Sequence, residues 1–113
     1  MEQPKDFDKL LLDSIDDALL SLGASARESI YLHIERTFNL TRNEIPQRLE
    51  QFQLALEKIF GVGSTFIEIL IMKNIHRKTS DALHMEENQL EFIKYVNAVR
   101  NGFMKKTFNQ DNS

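Results

Sequence analysis

The chain has 113 residues, a formal net charge of −3 and no cysteine, which sets aside disulfide scaffolds, thiolate nucleophiles and cysteine-held metal centres. An acidic balance with a pI near 5.6 argues against a polybasic membrane binder or a dedicated nucleic-acid coat. With 42% hydrophobic and 27% charged residues, the composition is that of a single globular domain over residues 1–113 rather than a disordered chain.

Two prolines and four glycines are too few to punctuate many short strands, and helical spacing of apolar residues recurs along the chain. The first predicted helix covers residues 6–22. Leu12, Ile15, Leu19 and Leu22 form its stripe with Phe7 and Leu11, Asp6 and Asp8 suit its positive end, and Gly23 stops it in the left-handed conformation. The second covers 25–38, with Ser25 and Glu28 at capping-box spacing. Its inner face is Ile30, Tyr31, Ile34 and Phe38, and Asn39 closes it. Thr41 and Glu44 repeat the capping signal as a tight turn. Pro46 opens the third helix, 46–60, where its missing N–H costs nothing, and Leu49, Phe52, Leu56 and Ile59 form the buried stripe.

Gly61 and Gly63 are read as the hinge between helices, with Ser64 or Thr65 capping the next one and Glu68 completing the box. That fourth helix, 64–77, is apolar nearly all round, as a helix central to a bundle or covered by a second subunit would be. The fifth covers 83–101, and the C-terminal helix over 83–105 is a candidate association element. Phe92, Val96, Val99 and Phe103 form its stripe, close to a coiled-coil seam. The tail "TFNQDNS" is expected to fray. The fold class is therefore all-α, a compact bundle of about five helices.

The glycine-rich stretch "FGVGSTFIEILIMK" invites a phosphate-loop reading, but a P-loop needs a preceding strand and a Lys-Ser/Thr pair. Here a helical pattern precedes Gly61, no lysine stands before Ser64, and the third glycine of a dinucleotide fingerprint is missing. His33, His76 and His84 lie on different elements without metal-ligand spacing, although His76 and His84 face one another across a loop in sequence. Acid pairs such as Asp16-Asp17 and Glu86-Glu87 look like solvated helix surface. Ser14, Ser21 and Ser64 have no evident base. The chain is therefore expected to be neither an enzyme nor a holder of a cofactor or metal. Lys73, Arg77 and Lys78 end the fourth helix, where cations suit the dipole. As an alternative they offer phosphate contacts for a helix-turn-helix built from helices three and four.

The longest apolar block, "FIEILIM", is interrupted by Glu68 and far short of the roughly 20 residues that span a bilayer. The start "MEQPKDFD" lacks the cationic and apolar stretches of a signal peptide. A cytoplasmic location without membrane contact is expected.

The run from Ser14 to Lys78, through "ALLSLG", "ESIYLHIERTF", "EIPQRLEQF", "ALEKIFGVG" and "IEILIMKNIH", resembles the Nitrosopumilus output domain, a small archaeal helical module. The resemblance covers a little over half of the chain and leaves the helix after Leu83 outside it. It implies a cytoplasmic module of archaeal signal transduction, found alone or joined to sensory domains, and brings no catalytic or ligand residues. The expected role is a non-catalytic output module that associates with itself, as a homodimer, or with a protein partner through its helices; a small DNA-binding regulator is the alternative.

Overall fold

The computed structural model describes residues 4–79 and 91–111. Every regular element among them is helical: α1 (Pro4–Leu20), α2 (Ala24–Phe38), a 3-10 segment (Arg42–Gln47), α3 (Leu49–Phe60), a 3-10 turn (Gly61–Gly63), α4 (Ser64–Thr79) and α5 (Phe92–Asp111). None is long and apolar enough to cross a membrane.

The most extensive pairing is α1 against α4. Phe7, Leu11, Ile15 and Leu19 recur every four residues and are fully buried, and Ile67, Ile71, Met72 and Ile75 of α4 complete the same core. Burying a side chain of this size stabilises by about 1.5–3 kcal/mol, so this seam outweighs the helices' own propensities. A polar contact fixes its register: buried Asn74 donates from Nδ2 to the Ser14 carbonyl at 3.0 Å. The Ser14 hydroxyl turns back to the Leu10 carbonyl at 2.8 Å. Phe52, Ala55 and Leu56 of α3, Ile34 of α2 and Ile45 of the 3-10 segment close the other sides.

α5 lies against the core through aromatic contacts. Phe92 meets Phe52 with ring centroids 6.3 Å apart, and Phe103 meets Phe7 edge-on at 6.0 Å. The Arg100 guanidinium sits over the Phe7 ring at 5.2 Å and donates to the Pro46 carbonyl at 2.7 Å, satisfying a carbonyl of the 3-10 segment.

Several boundaries differ from the sequence expectation, each for a local reason. α1 starts at Pro4, using proline at the first helical position, and ends at Leu20, leaving Leu22 exposed beyond the stripe. Gly23 has positive φ, but at φ 114 and ψ 148 it caps the start of α2 rather than closing α1 in the left-handed conformation. Ser25 is already inside α2 and makes no cap bond. Asn39 does close α2 in the left-handed region. The Thr41–Glu44 signal is real: the Thr41 amide and hydroxyl donate to Glu44 Oε1 at 2.9 and 3.0 Å, and these bonds hold the Glu44 carboxyl below its ordinary range. What it opens is the 3-10 segment, which takes up Pro46, so α3 starts at Leu49. Burial of Ile45 and Pro46 pins that segment against α1. α5 is helical from Phe92 to Asp111, past the expected end at 101 and through most of the tail expected to fray; its expected start, with His84, falls on residues 80–90, outside those described.

Glu68 is the acid of α4, and it is buried. It was expected to cap Thr65, but it instead accepts from Gln53 Nε2 of α3 at 3.3 Å. Burial raises its pKa, the Gln53 bond opposes this, and the nearby Glu57 charge adds to it. Because its folded pKa lies above its unfolded one, the native state binds the extra proton. The ionisation penalty is absent below the unfolded carboxyl range and grows as pH rises through the folded value. Glu68→Gln, which keeps an acceptor for Gln53, is expected to melt a few degrees above the parent at pH 7. The gap should close below about pH 4, as read by circular-dichroism melts across pH.

Candidate functional site

The polar cluster with the most perturbed titration joins α1, α2 and the 3-10 segment. Asp16 accepts from Arg42 Nε and Nη2 at 3.0 and 2.6 Å, a two-pronged pair, and from the Tyr31 hydroxyl at 2.6 Å. Burial works against the Asp16 charge. The bonds from Arg42 and Tyr31 and the charges of Arg42 and Arg27 outweigh it, and the carboxyl is held below its ordinary range. Burial, then the bond to Asp16 and its charge, keep the Tyr31 phenol protonated far above its usual value. Asp16 is thus no solvated surface acid. Its partners lie 15 and 26 residues away, a spacing with no sequence signature. Its bonds run to Arg42 and Tyr31, so the cluster is a junction between three elements.

The hinge glycines differ from one another. Gly61 has φ +59 and ends α3, a conformation in which a Cβ is strained. Gly63 has no positive φ, and an added Cβ there meets only ordinary contact with Phe60 at 3.7 Å. The reversal therefore requires glycine at Gly61 alone. α3 rather than a strand leads into it. Ser64 is buried and already helical rather than a flanking cap.

Phe92, Val96 and Val99 are 0–2% exposed within this single chain, and Phe103 packs half-buried on Phe7. The stripe read as an association face is part of the chain's own core. Of the basic trio, Lys78 pairs with Asp17 at 3.0 Å and Arg77 donates to Asn74 Oδ1 at 2.8 Å, while Lys73 is exposed. His33 is exposed beside Thr37 and Phe38. His76 is half-buried, with no bond to Nδ1 among the described residues. Those residues hold no cluster of three metal-ligating side chains.

A groove of about 420 Å³ runs between α5 and the start of α3, edged by Asp8, Gln47, Glu50, Asn97 and Arg100. Its polar edges are largely bonded to each other: Gln47 donates to Asp8 at 2.8 Å, and Arg100 to Pro46 and to Asn97.

The surface feature that stands out is the outer face of α4. The 3-10 turn runs into the helix without a break, Ser64 being in the right-handed helical region. Phe66, Leu70, Lys73 and Arg77, at spacings of four, three and four within α4, share one face, and Val62 stands in the turn just ahead of it. Val62 is 99% exposed and Phe66 62%, with Ile69 and Leu70 half-covered beside them. The all-round apolarity of this helix thus divides into a core-facing half and an outward half that no described residue covers fully. Single exposed apolar residues need no explanation, whereas a row of them does. No protein-family model, curated protein or solved structure matches the chain, so the case for this face rests on its own chemistry.

Two substitution experiments follow. Phe92→Ala is expected to lose about 3–5 kcal/mol of unfolding free energy, whereas Phe66→Ser changes it by about 0.5 kcal/mol or less, both read from urea midpoints. Asp16→Ala removes the charge-assisted bonds that join three elements and is expected to cost about 2 kcal/mol. Because the Asp16 pKa is lowered by folding, its contribution is present above the unfolded carboxyl range and fades as pH falls through the folded value. In an acid titration the difference between parent and variant should shrink below about pH 4.

Proposed function

We propose that this chain is a non-catalytic interaction module that works by helix-mediated association, with α4's outer row as the contact face. The observation carrying the proposal is Phe66 at 62% exposure, on a helix whose opposite face is locked into the core, next to Val62 at 99% in the turn that leads into it. A helix presenting anchors at three- and four-residue spacing from a fixed scaffold is a recurring recognition mode. The placement in archaeal signal transduction comes from the resemblance of residues 14–78 to the Nitrosopumilus output domain, and a cytoplasmic role belongs to that same reading.

The proposed face differs from the one the periodicity of the last helix suggested, because that stripe is used internally. The DNA-reading alternative draws less support: Lys78 is engaged with Asp17, and Ser64, at the end of α4 that would reach base edges, is buried.

Site-specific photo-crosslinking in the native cell tests the proposal. A benzoylphenylalanine at position 62 or 66 is expected to give a discrete adduct, and the same group at Arg36, exposed on α2, should not. The adduct's mass separates a second copy from another protein. Equal labelling from all three positions, or none from 62 and 66, would remove α4 from consideration.

A further inference from the structure

The same row carries a charge pattern that specifies its occupant. Its first two turns are apolar, and its last two present Lys73 and Arg77, neither paired with a carboxylate among the described residues. The one acid in the sequence of α4, Glu68, is buried on the side toward α3. A chain of net charge −3 therefore shows cations and no anion on this helix face. The apolar part consists of four side chains, Val62 and Phe66 exposed and Ile69 and Leu70 half-covered. A stable dimer buries roughly 800 Å² from each partner. A short row of four side chains suits one helix better than a whole second copy of this chain.

We infer that α4 docks a single amphipathic helix of another protein. Its apolar residues lie over Val62, Phe66, Ile69 and Leu70, and its acidic end lies over Lys73 and Arg77. This inference rests on the interaction-module reading and adds the partner's chemistry. Apolar contact supplies the affinity, and the cations set direction and select against basic helices. The core-locked α4 presents its side chains in place, so little ordering is needed on this side of the contact.

The probe is a displayed library of random peptides about 20 residues long, enough for five helical turns, selected against the full chain. Enriched peptides are expected to share apolar residues at three- and four-residue spacing and a surplus of Asp and Glu. Their affinity should fall at least tenfold against Phe66→Asp. It should fall several-fold against the Lys73→Glu, Arg77→Glu double variant, and also on raising the salt. Melting curves of both variants establish that each is folded, as their exposed positions predict. Enriched peptides without an acidic surplus, or indifferent to the double variant while still dependent on Phe66, would overturn the acidic partner and leave the module reading standing. Binding indifferent to Phe66→Asp, or no enrichment, would overturn both. A dimer in sedimentation equilibrium that Phe66→Asp dissolves would assign the face to a second copy and overturn the inference.

Discussion

The seam between α1 and α4 is the constraint from which the other placements follow. Phe7, Leu11, Ile15 and Leu19 form a row that must leave water, and Ile67, Ile71 and Ile75 give a facing row of matching period. Apolar contact alone lets one helix roll over the other with modest loss. The Asn74 amide does not, because rolling α4 would strand it away from the Ser14 carbonyl inside the protein, and a buried polar group without its partner costs about 1–3 kcal/mol. Rotation of α4 is therefore fixed, and with it the identity of the side chains left outside. The exposure of Val62 and Phe66 is a consequence of where Ile67 and Asn74 must go.

α1 also organises the elements around it. Asp16 receives Tyr31 from α2 and Arg42 from the 3-10 segment, so both elements are bonded to one carboxylate of α1. Phe7, one face of α1 further back, receives Phe103 and the Arg100 guanidinium of α5. Arg100 in turn reaches the carbonyl of Pro46. The 3-10 segment is thus tied to α1 at its start and to α5 near its end. This explains why Pro46 ends up inside it: the burial of Ile45 and Pro46 against these partners outweighs the preference of proline for the first turn of a longer helix.

The helical period made the class of fold legible, because Leu49, Phe52 and Leu56, like Phe7, Leu11 and Ile15, already mark inner faces. Termini were less legible where two local signals competed. Ser25 with Glu28 has capping-box spacing, yet Gly23 two residues earlier offers a conformation only glycine tolerates and takes the position. Period also cannot tell an internal face from an external one. Phe92, Val96 and Val99 and the apolar ring of the fourth helix look alike on a helical wheel. Only tertiary placement shows that the first is enclosed and the second is half open. Asp16, Tyr31 and Arg42 are the extreme case, since their separation in the chain exceeds any local motif and each is an ordinary polar residue where it stands.

What remains is why an acidic domain should keep Val62 and Phe66 in water. Val62, at 99% exposure, removes almost no apolar area from solvent and gains nothing from backbone preference in a tight turn, and Phe66 leaves most of its ring in water. A serine or lysine at either position would fold as well and dissolve better, so their presence has no explanation in the stability of this chain. The proposed contact face would account for both the residues and their setting. The turn at Gly61 leaves Val62 in water, and Phe66, Lys73 and Arg77 follow on one face of α4. On the proposed reading, a small surface on a helix that needs no rearrangement suits a reversible contact better than a permanent subunit interface, because the ordering cost on this side is already met by the packing of α4 against α1.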